Sequence, residues 1–149
     1  MFASSFILIG GAAWVHVVAG RYASSPWWVP DITLVAMASA VFRDPQHSVR
    51  ALVSGMLWAT ALTQSPWPAA SAYGLAGVVL WQSAVRLDVS APYHAAMMVG
   101  VAECVCSAVL IALGPVTSAA VLVWLGVRLI ATVLMVPLVQ CLARIGGPA

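Results

Sequence analysis

Two residues in this chain sit where a charge is expensive. Glu103 and Arg128 each lie inside long apolar runs. A charged side chain at the centre of a membrane span costs at least about 2.5–3.5 kcal/mol on insertion scales. The turn between the two runs centres on Gly114-Pro115. Counting back to Glu103 and forward to Arg128 gives about 12 or 13 residues each way, roughly 18–20 Å at helical rise. The spacing therefore predicts an intramembrane ion pair between neighbouring antiparallel helices. Such a pair can fix how two helices dock, or it can present a polar site to a cavity or a partner. A proton or substrate relay would need more than one such pair.

The other acid that stands out is Asp31. Residues 26–42 read PWWVPDITLVAMASAVF. Trp rings favour the membrane interface. Pro suits the first helical turn, and a carboxylate there faces the positive end of the helix dipole. Trp27, Trp28, Pro30 and Asp31 thus read as the place where the chain leaves an outer surface and enters lipid. On this reading Asp31 is presented to a partner.

Little else carries chemistry. His16 falls in the first apolar run and predicts a hydrogen bond to a neighbouring helix, His47 reads as solvated, and His94 opens a later run. Cys104, Cys106 and Cys141 read as small buried residues, and their spacing matches no zinc pattern. Ser65 and Ser71 have no base in view. No phosphate loop or cofactor signature is present. The sequence predicts no enzyme, no metal and no cofactor.

The elements that must hold these residues are apolar. Of 149 residues 63% are hydrophobic and 7% charged, and the mean hydropathy is +1.03. Soluble domains carry about 25% charged residues, so the composition predicts an all-α integral membrane protein, a single transmembrane bundle over residues 1–149. A net charge of +2, all from scattered Arg, excludes a nucleic-acid partner and leaves lipid as the surroundings. Spans need about 20 apolar residues. Six are expected, at residues 2–20, 30–42, 49–64, 69–85, 93–113 and 117–142. The first reads as a retained span rather than a signal peptide, and the second is short. Arg43, Arg50, Arg86 and Arg144 fall on one face and Arg21 on the other. The positive-inside rule then places both termini in the cytoplasm and Asp31 outside.

Small residues recur every fourth position in two spans: Ala51, Gly55, Ala59 and Thr63, then Ala96, Gly100, Cys104, Ala108 and Ala112. Such stripes let helices approach closely. They serve either internal packing or docking of another membrane protein, and Gly55 and Ala59 are candidate partner contacts.

The ordered set Pro30-Asp31, a basic loop at residues 43–50, Gly55, and a small-residue turn at residues 66–74 resembles MreD, the rod-shape-determining membrane protein family. The detail covers residues 26–85; the remainder agrees in length and hydropathy. Unlike many members, this chain has no acid at residues 60–63. The resemblance implies a non-enzymatic scaffold of the bacterial inner membrane that binds MreC. It would help couple MreB filaments to peptidoglycan synthesis by a RodA-type glycosyltransferase and a class B penicillin-binding protein. That family is similar in fold to the substrate-binding subunits of vitamin-uptake transporters, which supplies a different expectation: a small-molecule-binding subunit with a pocket near Trp27, Trp28 and Asp31. An accessory subunit of a larger membrane complex is a third.

Overall fold

The computed structural model describes residues 2–23, 29–62, 66–87, 92–113 and 119–145, with side-chain surroundings for all of these except 2–4, 92, 119, 120, 122 and 138–145. Among the described residues there are six α-helices, one 3-10 turn and no strand. The helices are α1 (Phe2–Tyr22), α2 (Ile32–Arg43), α3 (Ser48–Leu62), α4 (Pro66–Arg86), α5 (Pro92–Leu113) and α6 (Ala119–Ile145). Each matches an expected apolar segment to within a few residues. The polar stretch between the second and third segments is tighter than a loop, because the 3-10 turn Pro45–His47 joins α2 almost directly to α3.

Local chemistry explains the boundaries. The Asp31 carboxylate accepts a hydrogen bond from the Leu34 amide and so caps α2, satisfying one of the donors a helix start leaves open. Asp44 precedes Pro45, which excludes it from helical backbone, and α2 stops there. Pro66 and Pro92 open α4 and α5, where a missing N–H costs nothing. Pro137 sits inside α6 and removes one backbone hydrogen bond there.

α2 is the hub. It packs against each of the other five helices, while α1, α3, α4, α5 and α6 touch in that order around it. Among the described residues α1 and α6 do not pack on each other, so the ring is open on one side. Seven α2 side chains are buried, Thr33 through Ala38 and Val41. A helix buried on all sides is the expected form of a central element. Two glycines let neighbours come close. A Cβ on Gly55 would collide with the Met37 side chain of α2, and one on Gly77 with Leu52 of α3.

The five outer helices turn large apolar side chains outward, among them Leu8, Leu57, Leu75, Val101 and Ile130. The exposed described arginines, Arg21, Arg43, Arg50 and Arg86, all stand at helix ends. Among the described residues two helical stretches, Ser5–Tyr22 and Tyr93–Leu113, are long and apolar enough to cross a membrane; Ile32–Arg43 and Val123–Pro137 are apolar but shorter.

Candidate functional site: a buried ionic hub at the start of α2

At 12 residues, α2 is about 18 Å long and shorter than each of the five helices around it. Its N-terminus lies inside the bundle, where Asp31 is fully buried. Distances along the neighbouring helices agree: His16 lies six residues before the end of α1, Tyr73 seven into α4, Arg128 nine into α6, and Glu103 ten before the end of α5. At helical rise these are depths of about 9–15 Å, and all four residues gather around the start of α2.

Arg128 is the centre of the cluster. Its Nη2 donates to Asp31 Oδ2 at 2.6 Å, and its Nε lies 2.8 Å from Glu103 Oε1. The two arms differ. The Asp31 arm is a hydrogen-bonded ion pair. The Glu103 arm is a close ionic contact whose N–H is not aimed at the carboxylate, so Nε and Glu103 Oε2 have no hydrogen-bond partner among the described residues. Ser107 Oγ donates to Glu103 Oε1 at 3.3 Å. Asp31 is better served. Its Oδ2 also accepts from the Tyr73 hydroxyl at 2.7 Å, its Oδ1 accepts the capping amide of Leu34, and its own N–H donates to Thr132 Oγ1 at 2.9 Å. Next to it, His16 Nδ1 lies 3.0 Å from the Pro30 carbonyl oxygen. A carbonyl only accepts, so Nδ1 carries the proton. Exposure is 0% for Asp31, 1% for Glu103 and 6% for Arg128.

The structure thus brings together Glu103 and Arg128, as their spacing predicts, and adds Asp31 as the closer partner. It corrects the expectation that Asp31 faces outward: the carboxylate is enclosed and bonded to α4 and α6. Pro30 is half-buried with its carbonyl engaged by His16. Gly55 and Ala59 are buried as well, Gly55 against Met37, so neither is available to an outside partner. Trp27, Trp28 and Thr63 lie outside the described residues. Cys106 is buried, but Cys104 is exposed, because its stripe faces out. His47 is exposed yet not simply solvated, since its Nδ1 lies 2.9 Å from Asp44 Oδ2. That hydrogen bond holds the Asp44 carboxyl below its ordinary value.

Tyr73, Thr132 and Ser107 escaped the sequence reading. The signal that could have found them was the length of the second apolar run. A helix shorter than its neighbours can begin inside the bundle, and a buried carboxylate needs donors from its neighbours.

A hollow of about 140 Å³ lies against the cluster, with His16, Thr33, Trp58, Tyr73 and Arg128 among its lining residues. Among the described residues no group of three His, Cys, Asp or Glu could hold a metal ion. Chemically, the arrangement is a lock. The non-helical backbone at Pro30 and Asp31 is satisfied by side chains of α1 and α6, and one guanidinium ties the start of α2 to α5 and α6. No family model, curated protein or solved structure matches this chain.

Proposed function

We propose that this chain is a membrane scaffold of the MreD type, crossing the bacterial inner membrane with six helices and both termini in the cytoplasm. The observation that carries this reading is the distribution of polarity. Charge inside the bundle is bound to charge, and the outward faces are apolar along the five outer helices, with arginines at their ends. Contiguous exposed apolar surface on this scale is unsuited to water and suited to lipid. With Arg128 held by two carboxylates and Asp31 saturated by donors, these side chains serve to hold helices together rather than to act on a substrate.

The outer face of α5 and α6 supports a docking role. Ala96, Gly100, Cys104 and Ala108 line a shallow apolar groove of about 500 Å³ with Leu129 and Val133 of α6. Small residues on an outward helix face admit another helix closely. MreC is the partner this reading names first, with MreB, a RodA-type glycosyltransferase and a class B penicillin-binding protein reached directly or through it.

The test is affinity purification in mild detergent from the native bacterium, with mass spectrometry of what accompanies the chain. MreC and wall-synthesis enzymes are expected. An ATPase pair with a transmembrane coupling subunit would overturn the reading in favour of small-molecule uptake. The hollow beside Arg128 is the observation behind that second reading. Its volume of about 140 Å³ is below the roughly 300–1,000 Å³ typical of ligand pockets, and its polar groups are largely engaged already, so the scaffold reading is preferred.

A further inference from the structure

At the opposite end of α2 lies a second cluster that the scaffold reading does not use. Arg43 ends α2, Arg50 stands in the first turn of α3, and the 3-10 turn carries His47 between them. Together with Asp44 and with Ser5 of α1 they line a hollow of about 450 Å³. Two alanines complete its wall, which is why space remains there.

The charges in this hollow do not cancel. Two arginines face one aspartate, and that aspartate is already engaged, accepting from the His47 ring and from the His47 amide. Both guanidiniums are exposed, and neither has a carboxylate within ion-pair distance among the described residues. The hollow also has a definite position. It sits where helices end, at the edge of the apolar surface formed by the outer helices, which is the level of lipid headgroups if the chain spans a bilayer. A guanidinium matches a phosphate with two parallel hydrogen bonds, and basic pockets between helices at this level suit anionic headgroups.

We propose that the elbow between α2 and α3 is a binding site for the phosphate of an anionic phospholipid, held by Arg43 and Arg50 with the Ser5 side at its edge. The site anchors the inner end of the central helix to the leaflet. This inference rests on the membrane reading and is independent of which proteins the scaffold binds. If alkaline carbonate released the chain from native membranes, the membrane reading itself would fail.

The experiment uses the purified full chain in non-ionic detergent, offered phosphatidylglycerol and phosphatidylcholine in equal amount. Lipid carried with the protein is read by native mass spectrometry. Phosphatidylglycerol is expected to be retained preferentially. Arg43→Gln and Arg50→Gln are each expected to lower that preference about fivefold, the factor that corresponds to one arginine near an anionic surface. Arg43→Lys with Arg50→Lys should keep most of it. Arg86→Gln is the control, since Arg86 is exposed at a helix end but does not line the hollow. Equal loss in Arg86→Gln would mean diffuse surface charge and would overturn the site. So would unchanged retention in the Arg43→Gln, Arg50→Gln double variant. Inorganic phosphate is the remaining arm. If it raises the thermal stability of the chain as much as phosphatidylglycerol does, the site takes soluble anions and the lipid assignment is wrong.

Discussion

Asp31 and Asp44 stand at the two ends of α2 and make the same local move. Each accepts a hydrogen bond from the amide three residues on, Leu34 in one case and His47 in the other. Around that shared motif everything differs. Asp31 is enclosed, and its second oxygen is held by Arg128 from α6 and Tyr73 from α4. Asp44 is open to water and its partner lies three residues away. A cap alone can be satisfied locally. A cap buried at the hub needs partners from the far end of the chain, and it thereby decides how the helices close around α2.

That contrast can be broken at its strongest point first. Arg128→Leu strands two buried carboxylates and should cost about 3–5 kcal/mol, the penalty for removing one partner of a buried pair; thermal unfolding in detergent would show it. Glu103→Gln together with Arg128→Leu should recover only part of the loss, because Asp31 remains charged, and Asp31→Asn in the same background should recover more. Full recovery in the double variant would mean that Asp31 contributes little to the lock. Asp31→Asn alone comes next, at roughly 2–4 kcal/mol, since an amide keeps the cap but not the ion pair. Tyr73→Phe removes one hydrogen bond to a charged acceptor and should cost about 1.5–3 kcal/mol.

At the other aspartate, Asp44→Ala should leave unfolding almost unmoved, as expected of an exposed pair screened by solvent. The sign of its pH dependence is fixed. With its folded value held below the ordinary carboxylate value by the His47 hydrogen bond, its small contribution is present above that ordinary value and fades as pH falls through the lower, folded one. The difference in stability between wild type and Asp44→Asn should be constant above that window and change with pH only within it. A large destabilisation by Asp44→Ala would erase the distinction between the two ends.

The helices were legible because apolar runs, prolines and terminal arginines mark them directly. The Glu103–Arg128 contact was legible because two charges at equal depth on consecutive helices have few other places to go. Asp31 misled because a Trp-Val-Pro-Asp start looks alike at a membrane surface and at the head of a short buried helix; only the length of the apolar run after the aspartate separates them. The small-residue stripes show the same ambiguity. Ala51, Gly55 and Ala59 turn inward, Gly55 against Met37, whereas Cys104 and Ala108, with the same four-residue spacing, face out. Spacing reports that something packs closely, and only the arrangement of helices says whether it belongs to the same chain.

The bond between Arg128 and Asp31 spans 97 residues of sequence. At synthesis rates of about 5–20 residues per second, the ribosome needs roughly 5–20 s after making Asp31 before it reaches the counterion. Through that interval α1 is already in place and α3 and α4 follow, but Asp31 has no counterion from α6. The charge lock at the head of the central helix therefore closes late, only once Arg128 has been made, long after the helix that it secures.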